Sequence, residues 1–217
     1  MTSNGWNNPS ERLRQLVARD ISEKPFSELS SVAFDHDGPV LAGHALLDTL
    51  EDCGYCVDDF DAVGALTAAA VPFVVAMIDA AASRGQELDG FSLDFVYPGV
   101  KGPSIAGKRV ILLDAWLSDL SYIQTSSIVT LTKSNELDLD FGVVSRENAQ
   151  VLAVASLVAG GSSEPPATIR IVDPVSHRQS ELPFVYVFSS TDVKTGAATH
   201  TDTSVHSECG ESESTRV

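Results

Sequence analysis

The chain has 217 residues, 43% of them hydrophobic, which is enough for one α/β domain with a packed core. Its formal net charge is −16 with only 14 lysines and arginines, which argues against binding to nucleic acid or to an anionic membrane surface. We expect a cytoplasmic protein, because the sequence has no apolar run of about 18 residues, no secretory signal at its start and too few cysteines for a disulfide framework.

Helices and strands alternate along the first part of the chain. Apolar spacing and end signals predict helices at Pro9 to about Ile21, with Ser10 as the N-cap, at Val40 to Cys53 and at about Val71 to Ser83. Apolar, β-branched runs predict strands at Ser31–Asp35, Asp61–Leu66, Gly90–Val96, Val110–Leu113 and Val151–Val158. This alternation predicts an α/β fold with a parallel sheet flanked by helices.

The second half of the chain is less regular. Residues Ser126 to Asn148 are polar and are expected to hold a short strand or an irregular insertion. Thr168 to Val172 and Phe184 to Phe188 alternate in polarity and predict a small C-terminal β-hairpin. The composition from Thr195 onward is typical of a disordered acidic tail, so we divide the chain into a domain at 1–194 and a tail at 195–217.

Two segments carry the most information about function. The first, Asp59 to Gly85, reads DFDAVGALTAAAVPFVVAMIDAAASRG, and the second, Ile105 to Asp119, reads IAGKRVILLDAWLSD. Their order and content resemble the orotate phosphoribosyltransferases, most closely the actinobacterial type. The resemblance implies a type I phosphoribosyltransferase-like fold and a site for phosphoribosyl diphosphate (PRPP), which family members use as the ribose donor.

The resemblance also assigns ligand-binding positions to individual residues. Thr67 and Ala68 stand in the family's first loop, which binds diphosphate through backbone N–H groups. Asp114 matches the first of two paired acids that contact the ribose hydroxyls, and Ser118 and Ser121 are the hydroxyls available to a 5′-phosphate. No catalytic residue and no metal ligand is assigned.

Three positions depart from the family's PRPP motif. Ala115 replaces the second acid, Asp119 a threonine and Leu120 a glycine. A carboxylate about 4 Å from a phosphate repels it by roughly 4 kcal/mol at an effective dielectric of 20. A leucine where the loop requires a positive φ costs about 1 kcal/mol or more. The segment that matches the family's mobile catalytic loop is also poor in bases, with Lys101 alone before Gly107.

We therefore expect an orotate-phosphoribosyltransferase-like protein that has lost normal PRPP-dependent transfer and has a binding, regulatory or assembly role. The alternative is a divergent, active Mg-dependent orotate phosphoribosyltransferase of pyrimidine nucleotide synthesis. A third possibility is a small-molecule sensor that uses the same crevice. Under the first hypothesis we expect no cofactor. Under the second we expect Mg²⁺. Family members are dimers, which implies a homodimer or a heterodimer with an active relative.

Simpler interpretations stand beside these. Asp114 could merely cap the loop after its strand, and Thr67 could begin an ordinary helix. Trp116 and Tyr122 are expected to be packing residues that fill the vacated phosphate site rather than a ligand platform. The Cys53-Gly54-Tyr55-Cys56 sequence follows a helix among acidic residues, which is unfavourable for a reactive thiol.

Overall fold

The structure, a computed structural model, describes residues 8–23, 29–94, 99–118, 122–124, 138–140, 142–161, 165–172 and 179–195. Its helices are α1 (Pro9–Glu23), α2 (Ser30–Ala33), α3 (Gly38–Asp52), α4 (Val71–Ser83), α5 (Gly142–Arg146) and α6 (Ser190–Thr195). Its strands are β1 (Ala62–Ala65), β2 (Asp89–Leu93), β3 (Val100–Lys101), β4 (Arg109–Ser118), β5 (Tyr122–Gln124), β6 (Asp138–Asp140), β7 (Gln150–Gly160), β8 (Thr168–Val172) and β9 (Gln179–Ser189).

The described strands form a single sheet in the order β3-β2-β1-β4-β7-β9-β8-β5-β6. The central part, from β2 through β1, β4 and β7 to β9, is parallel throughout. Antiparallel pairs occur where β3 joins β2 and where β8 joins β9. The predicted α/β fold with a parallel sheet flanked by helices is therefore confirmed.

Apolar side chains cover both faces of the sheet. On one face a helix-side core joins α1, α3 and α4 to the strands and includes Leu16, Leu47 and Phe73. On the other face a far-side core includes Phe91, Leu112 and Val144, the last from α5. Successive residues of a strand point to opposite faces, so a parallel strand covered on both sides reads as a continuous apolar run. Val110 to Leu113 of β4 is such a run, and all four residues are fully buried.

Helices α3 and α4 pack very closely. A Cβ built on Gly43 would lie 2.2 Å from the carbonyl oxygen of Ala76, so only a glycine allows this approach. The Arg84 guanidinium, just after α4, donates to the Asp48 carboxylate at 2.7 Å and to the Glu51 carboxylate at 3.2 Å. Gly54 follows the end of α3 and has a φ of 88°, as expected for a glycine after a helix.

The structure corrects two local predictions near the start of the chain. Ser31 to Asp35 is not a strand, because α2 occupies Ser30–Ala33 and the buried Asp20 carboxylate accepts the Ser31 N–H at 2.9 Å. Four residues are too few to distinguish a helix from a strand by period. Ser10 is not the cap of α1, which begins at Pro9; the Asn8 side chain accepts the Ser10 N–H instead, at 3.1 Å.

The C-terminal hairpin is present, but its second arm differs from the prediction. β8 pairs with residues 179–183 of β9, while Phe184 and the residues after it pair with β7. Of the polar insertion from Ser126 to Asn148, the structure describes β6, α5 and residues 147–148. Of the proposed tail at 195–217 it describes only Thr195, which ends α6. No described helix is long and apolar enough to cross a membrane.

Candidate functional site at the carboxyl edge of the sheet

Thr67 and Asp114, far apart in sequence, meet just beyond the carboxyl end of β1, beside the middle of β4. β1 ends at Ala65, and a short 3₁₀ helix begins just after Thr67. The Thr67 hydroxyl donates to Oδ1 of Asp114 at 2.7 Å. Two of the residues that the resemblance assigns to one ligand are therefore adjacent, at the edge where open α/β sheets bind their ligands.

Asp114 is buried, with 3% of its surface exposed. Its Oδ1 also accepts the N–H of Ala115 at 2.7 Å, whereas its Oδ2 has no hydrogen-bond partner among the described residues. Burial raises the pKa of Asp114 to about 7, against the opposing effects of hydrogen bonds from the Thr67 hydroxyl and from the backbone N–H groups of Ala115 and Trp116. A carboxyl group in this state is poorly suited to reach a ribose, because it is turned away from solvent.

The strand that contains Asp114 does not end there. β4 continues to Ser118, and its last part pairs with β7 through Trp116–Val158, Leu117–Ala159 and Ser118–Gly160. The sequence predicted a strand end at Leu113 followed by a phosphate loop. Instead, the strand continues past Asp114. Ala115 and Leu117, which are 1% and 0% exposed, belong to the core and lengthen the apolar run.

This extension of β4 is bordered on one side only. β1 stops at Ala65, which pairs with Leu113, so no strand of the described structure lies beside Trp116 to Ser118 on that side. The pairs Ala115–Leu157 and Leu157–Val187 are not among those of the ladders that join β4, β7 and β9, and the β4–β7 ladder also shifts register between Val110 and Ile111. We call these three residues, Ala115, Leu157 and Val187, the bend row.

The side-chain pattern also changes at the bend row. Consecutive residues Leu157 and Val158 both belong to the helix-side core, and Ala115 and Trp116 both contact it. The Ser156 hydroxyl donates to the carbonyl oxygen of Val158 at 3.0 Å, within its own strand. The strict alternation of a flat strand is thus interrupted, and the sheet bends at this level.

Trp116, at the start of the extension, packs on β7. A Cβ on Gly160 would lie 2.4 Å from Nε1 of Trp116, so the indole rests directly on the glycine backbone of β7. The tryptophan is half-buried against the helix-side core. The prediction that Trp116 is a packing residue agrees with this position. Tyr122 lies in β5, but its side chain is outside the described residues.

The remaining sequence-predicted residues are not all gathered at the site. Ala68 is exposed at the start of the 3₁₀ helix after Thr67. Ser118 is half-buried at the end of β4. Asp119, Leu120 and Ser121 lie outside the described residues, so the assignments of these three positions stay predictions.

A groove of about 490 Å³ lies at the opposite, amino edge of the sheet. It is bordered by the carboxylates of Asp61 and Asp89, each of which already has a basic partner. Asp89 accepts from the Lys108 ammonium group at 2.6 Å, and Asp61 from the Arg109 guanidinium at 3.0 Å. This groove is open and far from Thr67 and Asp114, so it does not extend the candidate site.

Two other groups of polar residues have structural explanations. Asp35, His36 and Asp37 bring three potential ligand atoms within 4.8 Å of one another, but the Arg12 guanidinium already neighbours both carboxylates, and the Asp35 side chain accepts the Asp37 N–H before α3. Cys53 and Cys56 are exposed, and partial desolvation with the nearby Asp52 raises the pKa of Cys53. A raised thiol pKa is the opposite of what redox chemistry requires.

The fold defines the class of protein. The chain superposes on the crystal structure of Mycobacterium tuberculosis orotate phosphoribosyltransferase in complex with inorganic phosphate, with a TM-score of 0.58 over 86% of this chain and 91% of that one, at 18% identity. At that identity the likeness establishes the fold alone. The architecture is that of the type I phosphoribosyltransferases.

Sequence similarity then gives the family. The chain is 31% identical over 147 residues to an orotate phosphoribosyltransferase of Streptomyces coelicolor, spanning 64% of this chain and 70% of the relative. It is 37% identical over 95 residues to that of Streptomyces avermitilis, spanning 41% of this chain and 50% of the relative's length. No family model matches the chain. The chain belongs to the orotate phosphoribosyltransferase family.

Proposed function

We propose that this member of the orotate phosphoribosyltransferase family does not transfer phosphoribosyl groups and acts instead through binding, in a regulatory or assembly role. The observation that carries the proposal is the continuation of β4 to Ser118. The resemblance places the phosphate loop directly after Asp114, where a PRPP-binding protein needs free backbone N–H groups. In this chain the ladder with β7 extends over Trp116 to Ser118.

The state of Asp114 and Thr67 supports the same conclusion. A ribose-binding acid must present its oxygens to the ligand, but the Asp114 carboxyl group is buried. The Thr67 hydroxyl is already engaged by Asp114. Ala115, which is also buried, contributes no second carboxylate.

Mg²⁺, which an active enzyme would use with PRPP, does not fit the described residues at this edge. The ion prefers oxygen ligands in octahedral geometry and keeps several waters. Asp114 is the acid that the resemblance places at the ribose of PRPP, and its unpartnered oxygen is enclosed by protein. We therefore assign no metal ligand here and derive no step through the metal.

Calorimetric titration of the purified protein with PRPP and Mg²⁺, and separately with orotate, tests this proposal. We expect no PRPP binding at millimolar concentration and no formation of orotidine monophosphate, with an active family member assayed in parallel as the positive control. Micromolar PRPP binding accompanied by product formation would overturn the proposal.

One observation favours the divergent enzyme as a second candidate: Thr67 and Asp114 lie side by side, as a shared ligand would require. In this case Asp114, Ser118 and Ser121 would contact PRPP, and Asp119→Thr would strengthen PRPP binding by removing a like charge. The same titration, repeated on Asp119→Thr, separates the two candidates, since a closed site gains nothing from that change.

We also propose that the protein is a homodimer, or forms a heterodimer with an active relative. The relationship to the family supports this part of the proposal. In a heterodimer, an inactive chain could regulate its partner without binding PRPP itself.

A further inference from the structure

Three exposed valines lie on the outward faces of α3 and α4. Among the described residues, Val40, Val71 and Val75 are 61%, 38% and 50% exposed, although each is a large hydrophobic side chain. A further exposed hydrophobic residue, Phe34, belongs to the charged turn before α3. An exposed valine gains little burial, and its branched Cβ makes it a weaker helix former than alanine or glutamate. The stability of a single chain therefore does not explain valine at these three positions.

The three valines are neighbours on one surface. Gly43 of α3 lies against the backbone of Ala76 in α4, and further along both helices Asp48 binds Arg84, just after α4. The two helices therefore run side by side in the same direction. On each helix the exposed valines come within about one and a half turns before the contact of Gly43 with Ala76. Both helices cover the same side of the sheet, so these side chains point outward together, and we call them the valine face.

The valine face belongs to the uncharged part of a strongly acidic chain. The formal net charge is −16, yet residues 38–47 and 62–78 contain no Asp, Glu, Lys or Arg. The carboxylate that follows the first of these segments, Asp48, is already paired with Arg84, and Asp79 follows the second. An acidic partner can therefore approach the valine face with less repulsion than it would meet over a surface rich in carboxylates.

The chemistry of this face favours a second copy of the chain as its occupant. Because the face presents apolar side chains and no charge, it can select a partner only by apolar contact and shape. The partner surface must then be apolar and uncharged as well. The valine face of another copy has both properties, and a two-fold axis through it would make every valine contact twice.

We propose that two copies of this chain associate through the valine face, with α3 and α4 of one copy against α3 and α4 of the other. This inference rests on the homodimer proposed above and assigns its surface. Helix α4 begins at Val71, shortly after Thr67, so the second copy borders the candidate site at the carboxyl edge. The exposed apolar area is small, and we expect a dissociation constant in the roughly micromolar range.

Sedimentation equilibrium at about 150 mM NaCl, which screens long-range repulsion, tests the surface. Val75→Asp places a carboxylate in the valine face, and the symmetry of the dimer places it there twice, so the dissociation constant should rise roughly hundredfold or more. Ser145→Asp is the matched control, because it adds the same charge at an exposed position of α5, on the opposite face of the sheet. It should change the dissociation constant by less than about threefold.

A neutral variant carries the test without added charge. The double variant Val71→Ser, Val75→Ser removes apolar surface from both copies and should raise the dissociation constant roughly tenfold or more. Both positions are exposed, so the fold should be kept. Circular dichroism and urea unfolding at a concentration where wild type is monomeric check this for each variant.

The outcomes separate this inference from the proposed function. A wild-type dimer that the valine variants dissociate and Ser145→Asp preserves supports the valine face. A dimer that persists unchanged in the valine variants would overturn the valine face and leave the homodimer standing. Equal weakening by Ser145→Asp would also overturn it, because net charge rather than this surface would then be responsible. A wild type that stays monomeric at concentrations on the order of 100 μM would overturn the homodimer and this inference together.

Discussion

Among single residues, Asp114 shows what could and could not be predicted from the sequence. The resemblance identified Asp114 and Thr67 as neighbours at one site, and the 2.7 Å hydrogen bond places them together. The burial of Asp114 was not predictable, because it depends on the course of the residues after it. An acid after an apolar strand is normally read as the exposed start of a loop, and here the strand continues through Ser118.

The burial of Asp114 predicts a pH-dependent stability. Its pKa is about 7 in the folded protein and about 4 in the unfolded chain, so the folded state binds the proton more strongly. The contribution of Asp114 to the free energy of unfolding is fully present below about pH 4 and is lost as the pH rises to 7. The total loss is roughly 4 kcal/mol. Asp114→Asn should therefore gain stability relative to wild type as the pH rises from 4 to 8.

Urea unfolding of both proteins at several pH values checks this prediction. Other carboxylates titrate in the two proteins alike, including Asp61, whose pKa the Arg109 hydrogen bond lowers. Their contributions cancel in the difference between variant and wild type. A difference that stays constant from pH 4 to 8 would mean that Asp114 is ionised and solvated in the native protein.

At the level of elements, the helices and most strands were predictable and the end of β4 was not. α4 matches its predicted bounds from Val71 to Ser83, because Pro72 and the apolar period mark it clearly. The end of β4 depends on its partner strand, because Trp116 to Ser118 pair with the last residues of β7, up to Gly160. Such non-local pairing leaves little trace in the local sequence.

The contact between α3 and α4 gives a prediction at this scale. Gly43→Ala would normally favour a helix by about 1 kcal/mol. Here the new Cβ would lie 2.2 Å from the carbonyl oxygen of Ala76, and backbone cannot move aside as a flexible side chain can. We expect a net destabilisation of roughly 1 to 3 kcal/mol, measured by urea unfolding.

A matched change on the exposed side of α3 provides the control. Val40→Ala alters a residue near the start of α3 that is 61% exposed. Its effect should be well below that of Gly43→Ala. If Gly43→Ala proved as stable as wild type, the two helices would have to be further apart than the structure places them.

For the whole molecule, the net charge of −16 governs association. Two copies of so acidic a chain repel one another, and salt screens this repulsion within about 10 Å at 0.1 M. We expect the proposed homodimer to tighten as the salt concentration rises. Sedimentation equilibrium at about 20 and 300 mM NaCl measures the dissociation constant; a dimer that weakens with salt would indicate attraction between opposite charges instead.

The position of β4 between β1 and β7 also affects how the chain folds. Asp61, beside β1, and Arg109, at the start of β4, pair across 48 residues, and Thr67 and Asp114 across 47. On the other side, Arg109 pairs with Gln150 of β7, so both neighbours of the central strand are distant in sequence, and long loops must close before these strands can pair. Topologies of this kind fold slowly. We therefore expect the apolar run of β4 to stay unpaired until these loops close, at the stage when aggregation competes with folding.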